Sequence, residues 1–576
     1  MSMDARKDKK NIGTGLAVLL LYAALIAFID FFHEPWFDET QAWLIARCAS
    51  YKEIFTYIPH YEGHPPLWHL VLSVFAKSGA PFELSLKSVN LVFCTAAMAL
   101  LIFRSPFPKP VRYLLPFTYF FFYHYGVYCR PYSMTMLAVF LAAITFRDRN
   151  AHPWRYILSL VFICLTTAFG IMISGGLCIV WTCEIIAELL RSKRLRYFWK
   201  DKRFYPLCFI LAVAVALILM MIPAEDCYYG GVDSGHSLKD RLLLLRSWCD
   251  FAAMPFESWS GVMVGLNGFK DMPVLIVFEA ICGAVMWFGI SAVALKNRKF
   301  FVFFVPYALM CGFMSFKYSS AHHFGIGALV HVFIFWIMAE QEGGIVIPDF
   351  MKKMNEKLRT PLVRKLVYGA AGLICIAPIF YSIGASVGDI KGNCSPQPLA
   401  DTIKENHLED KKILIRWTVL YDNLEKGSEE AFDKYMFNFM EMPSPHDVIR
   451  ENRTHLIGTA AILQPYFDKN IFMNFNVDCP DDLYMHYKYK EDPEEVFAKW
   501  RKKGLPDFII GYCPLDEVYS EEELKGVRYL PIQVVEYSLL YKLDSSPVYE
   551  RLYIREDLLD DYPQFKWIDD QTDNHY

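Results

Sequence analysis

Hydrophobic and polar positions fall along this chain in long blocks rather than in short alternations. Apolar runs of roughly 17–25 residues occupy about 12–32, 84–103, 112–129, 131–146, 155–171, 173–191, 204–223, 272–294, 299–317, 321–339 and 365–388, with charged or proline-containing stretches between them. A helix rising 1.5 Å per residue needs about 20 such residues to cross ~30 Å of hydrocarbon. The pattern therefore predicts a polytopic α-helical membrane protein of about 11–13 transmembrane helices. One block does not fit. "HPPLWHLVLSVFAKSGA" (64–80) is short for a span, and counting it as one crossing would invert every later loop, so it is predicted as a juxtamembrane or re-entrant helix. After residue 388 the texture changes. Short strand-like runs ("KKILIRW", "NIFMNFNV", "PDFIIGYC", "IQVVEYSLLYKL") alternate with helical patterns ("PLADTIKEN", "DPEEVFAKWRKKG"), which predicts a C-terminal α/β domain over 389–576 following a transmembrane domain over 1–388.

Composition agrees with the blocks: 54% of the 576 residues are hydrophobic and 16% aromatic, with mean hydropathy +0.22. A net charge of -4 leaves no basic surface large enough to argue for nucleic acid. The 15 cysteines include no CxxC pair and lie mostly inside apolar runs, which suggests neither a zinc site nor a disulfide framework. The N-terminal "MSMDARKDKKN" is basic and the span behind it lacks a small-residue cleavage site, the pattern of a retained signal anchor.

Charge sets the orientation. With the N-terminus inside, the cytoplasmic loops "RSPFPKPVR", "RDRNAHPWR", "RSKRLRYFWKDKR", "KNRK" and "MKKMNEKLRTPLVRK" are all rich in Lys or Arg. The extracytoplasmic side then receives the first outer loop (33–83), the "YCRPY" turn, residues 224–271, the "KYSSAHH" turn and everything after 388.

Four polar stretches map to that outer face, and polar groups at membrane depth point to function. Asp38 and Glu39 follow the first span. Asp38 has a structural reading as the N-cap of "ETQAWLIARC", with Gln41 three residues on, and Glu39 one as a favourable first-turn charge or a metal or hydrogen-bond partner. In "YEGHPPL" (61–67), turn formation accounts for Gly63, Pro65 and Pro66 but not for Glu62 and His64, which could ligate a cation or orient a phosphate. His60 and His64 have helical metal-binding spacing, against which the prolines argue. Arg130, in "YCRPYSM", either snorkels to headgroups or grips a phosphate bidentately. Lys317, His322 and His323 form a second cationic group. Cations facing paired carboxylates at an interface suit transfer of a sugar from a polyprenyl-phosphate carrier to an acceptor hydroxyl. The phosphate leaving group needs electrostatic stabilisation but no acid, and the hydroxyl needs one base.

"EPWFDETQAW", "YEGHPPLWHL" and "CRPYSMTMLAVFLAA", in this order over roughly 12–390, resemble the GT-C superfamily of membrane glycosyltransferases, in particular the bacterial relatives of the protein O-mannosyltransferases and the aminoarabinose lipid A transferase. The resemblance implies an inverting, polyprenyl-phosphate-sugar-dependent glycosyltransferase in a bacterial cytoplasmic membrane, with its site and C-terminal domain extracytoplasmic. It implies Asp38 as the base with Glu39 completing the catalytic pair. His64, Arg130, Tyr132, Lys317, His322 and His323 fall to the donor phosphate. Ala321 stands where the family's late motif has an arginine, which shifts that role to the neighbouring histidines or Lys317. Some superfamily members use a divalent metal and others do not, so the cofactor stays unknown, with Glu62 the candidate metal ligand. The expected partners are the lipid bilayer, the polyprenyl-phosphate sugar and a glycan, lipid or protein acceptor. Tyr484, Tyr487 and Tyr489 could hold acceptor glycan, although the last two alternate as in a strand. The competing expectation is a non-catalytic transporter or lipid-carrier-binding protein, for which internal symmetry between halves would be the sign. None is present in the sequence.

Overall fold

The computed structural model describes residues 3–224, 227, 245–260, 273–316, 323–357, 361–391, 396–420, 453–456, 459–487, 493–511, 513–538 and 547–568. The chain is mostly helical, with a small sheet near its C-terminus. Among the described residues four helices are long and apolar enough to cross a membrane: Ile12–Asp30 of α1 (Met3–Asp30), α6 (Phe82–Arg104), α10 (Ala168–Arg191) and Val277–Lys296. Six further apolar helices run 10–17 residues. Outward-facing rows such as Leu211, Val215 and Leu219, or Val277, Ile281, Val285 and Phe288, recur every three or four residues and are exposed. Apolar stripes of that extent fit a bilayer environment.

Several sequence boundaries move. The run 112–129 is not one helix. It is built from α7 (Lys109–Leu114), a 3-10 turn at Leu115–Phe117, extended backbone at Thr118 and a π-helical turn at Phe120–His124. Pro116 lacks an N–H and cannot continue the ladder. Residues 119–125 are nonetheless all buried, so their apolarity reports the interior and not a span. The expected pair 155–171 and 173–191 instead divides at Leu165–Thr167, where α9 (Pro153–Cys164) ends and the Thr167 hydroxyl caps α10 by accepting from Gly170 N at 3.0 Å. Within 64–80 the helix is α5 (Leu67–Ala76), ten residues or about 15 Å, half the hydrocarbon thickness.

The first outer loop also contributes α2 (Phe37–Cys48), α3 (Tyr51–Thr56) and α4 (Ile58–Glu62). Phe37, Leu44, Ile45, Ile54 and Ile58 share one apolar core with Leu399, Ile413, Phe508 and Leu552. The loop is thus packed as part of the C-terminal unit. That unit holds a four-stranded sheet, β1 (Ile413–Ile415), β4 (Phe508–Ile510), β6 (Pro547–Arg555) and β5 (Tyr529–Ser538) in that order, with β1 and β4 parallel and the other pairs antiparallel. A separate antiparallel pair joins β2 (Trp417–Leu420) to β3 (Arg453–Leu456). β1 and β4 are buried on both faces, which is why they read as continuous apolar runs. "NIFMNFNV" forms no strand, only a single bridge from Phe472 to Ile413, and β6, whose "VYERLYIR" carries three charged positions, was not anticipated.

Candidate functional site

α2 starts one residue before Asp38. Trp36 is its N-cap, and Glu39 at the third helical position accepts from the Trp36 backbone N–H at 3.1 Å, so Glu39, not Asp38, supplies the capping interaction. The carboxylate of Glu39 is fully buried. It also accepts from Cys129 N at 2.6 Å and lies 3.3 Å from His33 Nε2, whose Nδ1 meets Asp389 Oδ2 at 2.9 Å. Glu39 therefore ties α2 to the "YCRPY" turn, and His33 ties both to the end of the Pro361–Lys391 helix.

That turn is held from a second side. Asn90 of α6 donates its amide to Gly126 O (2.7 Å) and Tyr128 O (3.1 Å). A side chain at Gly126 would sit 2.0 Å from Phe122 O, so only glycine lets the π-helical turn run this closely into the loop. Pinned by Glu39 and Asn90, the turn presents Arg130 just before α8 (Tyr132–Phe146). Arg130 Nη1 reaches Asp38 Oδ2 at 3.3 Å and Asp38 O at 3.2 Å, across 92 residues of sequence. Both side chains keep some solvent access, 14% for Arg130 and 25% for Asp38. Burial raises the Asp38 carboxyl above its usual range; Arg130 pulls it back and Glu39 pushes it further.

Glu62 ends α4, where Gly63 closes the helix in the left-handed conformation (φ 64°). Gln41 Nε2 donates to Glu62 Oε1 at 2.9 Å and to Met485 O at 2.8 Å, while Gln41 Oε1 accepts from Met485 N at 2.8 Å. Burial pushes the Glu62 carboxyl up to about 7; the Gln41 hydrogen bond lowers it, Asp38 raises it and Arg130 lowers it. Asp38, Glu62 and Arg130 thus form one electrostatic cluster at the foot of α2. His69 of α5, which sequence reasoning passed over, belongs beside it. Burial and the Arg130 charge hold its imidazole neutral, down to about 4, and its Nδ1 is buried without a hydrogen-bond partner among the described residues. A histidine within an apolar helix ("LWHL") was its only sequence signal.

The other expected residues lie as follows. His64 is partly buried in the bend between α4 and α5, and His60 donates to Ile222 O at 2.6 Å. Tyr132 is buried and stacked on Tyr125 (centroids 4.8 Å, planes 23° apart), with the His323 ring 6.2 Å away and itself buried against Phe169. The structure brings Tyr132 and His323 together, as packed aromatic groups. Lys317 and His322 lie outside the described residues, as does Tyr489. Tyr484 and Tyr487 are buried, which removes them as a surface for glycan. Glu62 belongs to no group of three metal-ligating side chains among the described residues. Compared with known protein families and with curated proteins, the chain matches none.

Proposed function

We propose that this protein is an inverting membrane glycosyltransferase that moves a sugar from a polyprenyl-phosphate donor to an acceptor hydroxyl. One observation carries the proposal: a partly exposed carboxylate, Asp38, with a raised pKa, paired at 3.3 Å with Arg130 beside the ends of apolar helices. A raised pKa makes Asp38 a stronger base than a free aspartate. Arg130 supplies a fork that can hold phosphate oxygens. In the reaction, Asp38 takes the hydroxyl proton, the acceptor oxygen bonds to the anomeric carbon, and the carbon–phosphate oxygen bond breaks. The departing phosphate keeps the electron pair and is stabilised by Arg130. Before donor binding the Arg130–Asp38 pair satisfies both charges. A donor phosphate competing for Arg130 would release the carboxylate as it arrives.

Glu39 is assigned a positioning role, since its oxygens hold Trp36 N and Cys129 N. The extracytoplasmic placement of the site follows from the loop charges and belongs to the same proposal. The test is transfer from a panel of radiolabelled polyprenyl-phosphate sugars in membranes, with wild type beside Asp38→Asn. Product from wild type alone supports the class and the base together. Equal product from both removes Asp38 from the chemistry. Absence of donor binding by wild type in a direct lipid-carrier binding assay would abandon the enzyme in favour of a transporter.

A further inference from the structure

The geometry points to a transition-metal site, of the kind zinc fills, formed by Cys479, Asp482 and His486 in the C-terminal unit. This inference is independent of sugar transfer. The three donor atoms lie within 4.8 Å of one another. Cys479 Sγ is 3.6 Å from His486 Nε2, and that nitrogen is 3.1 Å from Asp482 Oδ2. Tetrahedral zinc with metal–sulfur near 2.3 Å and metal–nitrogen or –oxygen near 2.0–2.1 Å places neighbouring ligands about 3.6 Å (S to N) and about 3.4 Å (N to O) apart. The observed separations are those of a ligand set ready to close on an ion with small adjustments.

The spacing Cys-x2-Asp-x3-His works here because the backbone turns once just before Cys479 and again between Cys479 and Asp482. Cys479 N donates to Asn476 O at 3.1 Å and Asp482 N to Cys479 O at 3.0 Å, which folds thiol, carboxylate and imidazole onto one side. Asn476 then fixes the end of the turn by donating to Tyr484 O at 2.8 Å. The remaining imidazole nitrogen, His486 Nδ1, lies 3.2 Å from the Tyr57 hydroxyl. A histidine that ligates through Nε2 carries its proton on Nδ1 and donates it to such an acceptor, which fixes both tautomer and ring orientation. One thiolate, one imidazole and one carboxylate favour zinc or a neighbouring transition ion over calcium or magnesium, and three protein ligands leave a fourth position for water. All three side chains are partly exposed, so an ion has access. Because Tyr57 belongs to the first outer loop, a bound ion would stiffen the seam between that loop and the C-terminal unit. The absence of any CxxC pair predicted no zinc site; the sulfur here is combined with carboxylate and imidazole, which cysteine spacing alone does not reveal.

The test uses the full chain purified in detergent, stripped with chelator and titrated with Co2+ and then Zn2+. One equivalent of Co2+ with a thiolate-to-cobalt charge-transfer band and tetrahedral d–d bands is expected, displaced by Zn2+. Cys479→Ser should abolish the band, and Asp482→Asn or His486→Gln should weaken binding by 10-fold or more. Should the variants fold poorly, wild type still decides: Zn2+ should slow maleimide labelling of Cys479, located by mass spectrometry, by at least 10-fold. Cobalt bound without a thiolate band, or labelling of Cys479 at the same rate with and without Zn2+, overturns the site.

Discussion

The roles proposed for the adjacent carboxylates, Asp38 in chemistry and Glu39 in positioning, predict a double dissociation between stability and turnover. Replacing Glu39 with Ala strips the acceptor from two buried backbone donors, Trp36 N and Cys129 N, and removes one partner of His33. Each buried donor left unsatisfied costs about 1–3 kcal/mol, and the His33 contact adds to it, so a loss of roughly 3–5 kcal/mol is expected. Glu39→Gln keeps one acceptor oxygen but turns an amide N–H toward the other donor, for about 1–3 kcal/mol. Asp38→Asn is different. Its amide oxygen still accepts from Arg130, the Asp38 carbonyl contact is untouched, and the pair is partly solvated, so stability should change by no more than about 1 kcal/mol. Turnover should nevertheless fall on the order of 10²–10⁴-fold, the contribution of a general base. Unfolding of the full chain in detergent, followed by tryptophan fluorescence, gives the first quantity, and sugar transfer in membranes the second. A Glu39→Gln protein that unfolds like wild type but has lost 10³-fold activity would refute the division of roles. So would an Asp38→Asn protein destabilised as much as Glu39→Ala.

Three further outcomes follow from the same cluster. Arg130→Met should lower kcat/KM by about 30–150-fold, the equivalent of a charge-assisted hydrogen-bonded contact of 2–3 kcal/mol, and Arg130→Lys should recover part of it; a Met variant at wild-type kcat/KM would take the donor phosphate away from Arg130. The Glu62 carboxyl, pushed up to about 7 in the folded protein against 4.5 ordinarily, holds its proton more tightly when folded. Its stabilising contribution is thus complete below about pH 4.5 and lost as pH rises through 7. Relative to Glu62→Gln, wild type should therefore lose on the order of 1–2 kcal/mol between pH 5 and pH 8, and parallel pH profiles of the two unfolding free energies would contradict this. Gln41→Ala removes three hydrogen bonds, two of them to Met485, and should speed amide exchange at Met485 while lifting the Glu62 titration further; unchanged exchange there would show the docking to be held elsewhere.

Block length and hydropathy made the apolar helices legible, because burial in lipid and burial in protein both demand apolar residues. The same equivalence misled at 112–129, where "YFFFYHY" is apolar for interior packing and Pro116 denies it a continuous helix. Short buried strands at Ile413–Ile415 and Phe508–Ile510 were visible as apolar runs, but β6 was not, since its fully buried Glu550 is made tolerable by Arg416 at 3.1 Å, a partner 134 residues away. The "DE" pair, "YEGH" and "RPY" could be singled out from sequence as polar groups at the ends of apolar blocks. Which carboxylate caps and which faces Arg130 could not, because that depends on Cys129 N arriving from another helix pair. His69 gave almost no signal, since a lone histidine among leucines is indistinguishable from core filling until Arg130 is placed near it.

The segment 479–487 gives the C-terminal unit a specific relation to the outer-loop cluster. Met485 is held on both its N–H and its C=O by Gln41, and the next residue, His486, is held by Tyr57. Gln41 and Tyr57 lie on α2 and at the α3–α4 junction, so the segment staples two separate pieces of the loop at adjacent positions. Gln41 uses one side-chain nitrogen for both Met485 O and Glu62 Oε1. Any movement that withdraws Met485 therefore frees Gln41 to reorient, and loss of its donation raises the Glu62 carboxyl toward the protonated form. The Asp38 charge raises the same carboxyl, so the docked segment and the Asp38–Arg130 pair act on one titrating group, Glu62. Docking of the C-terminal segment and the charge state of Glu62 are in this way coupled through one glutamine. The coupling runs toward an ionised Glu62 when the segment is docked.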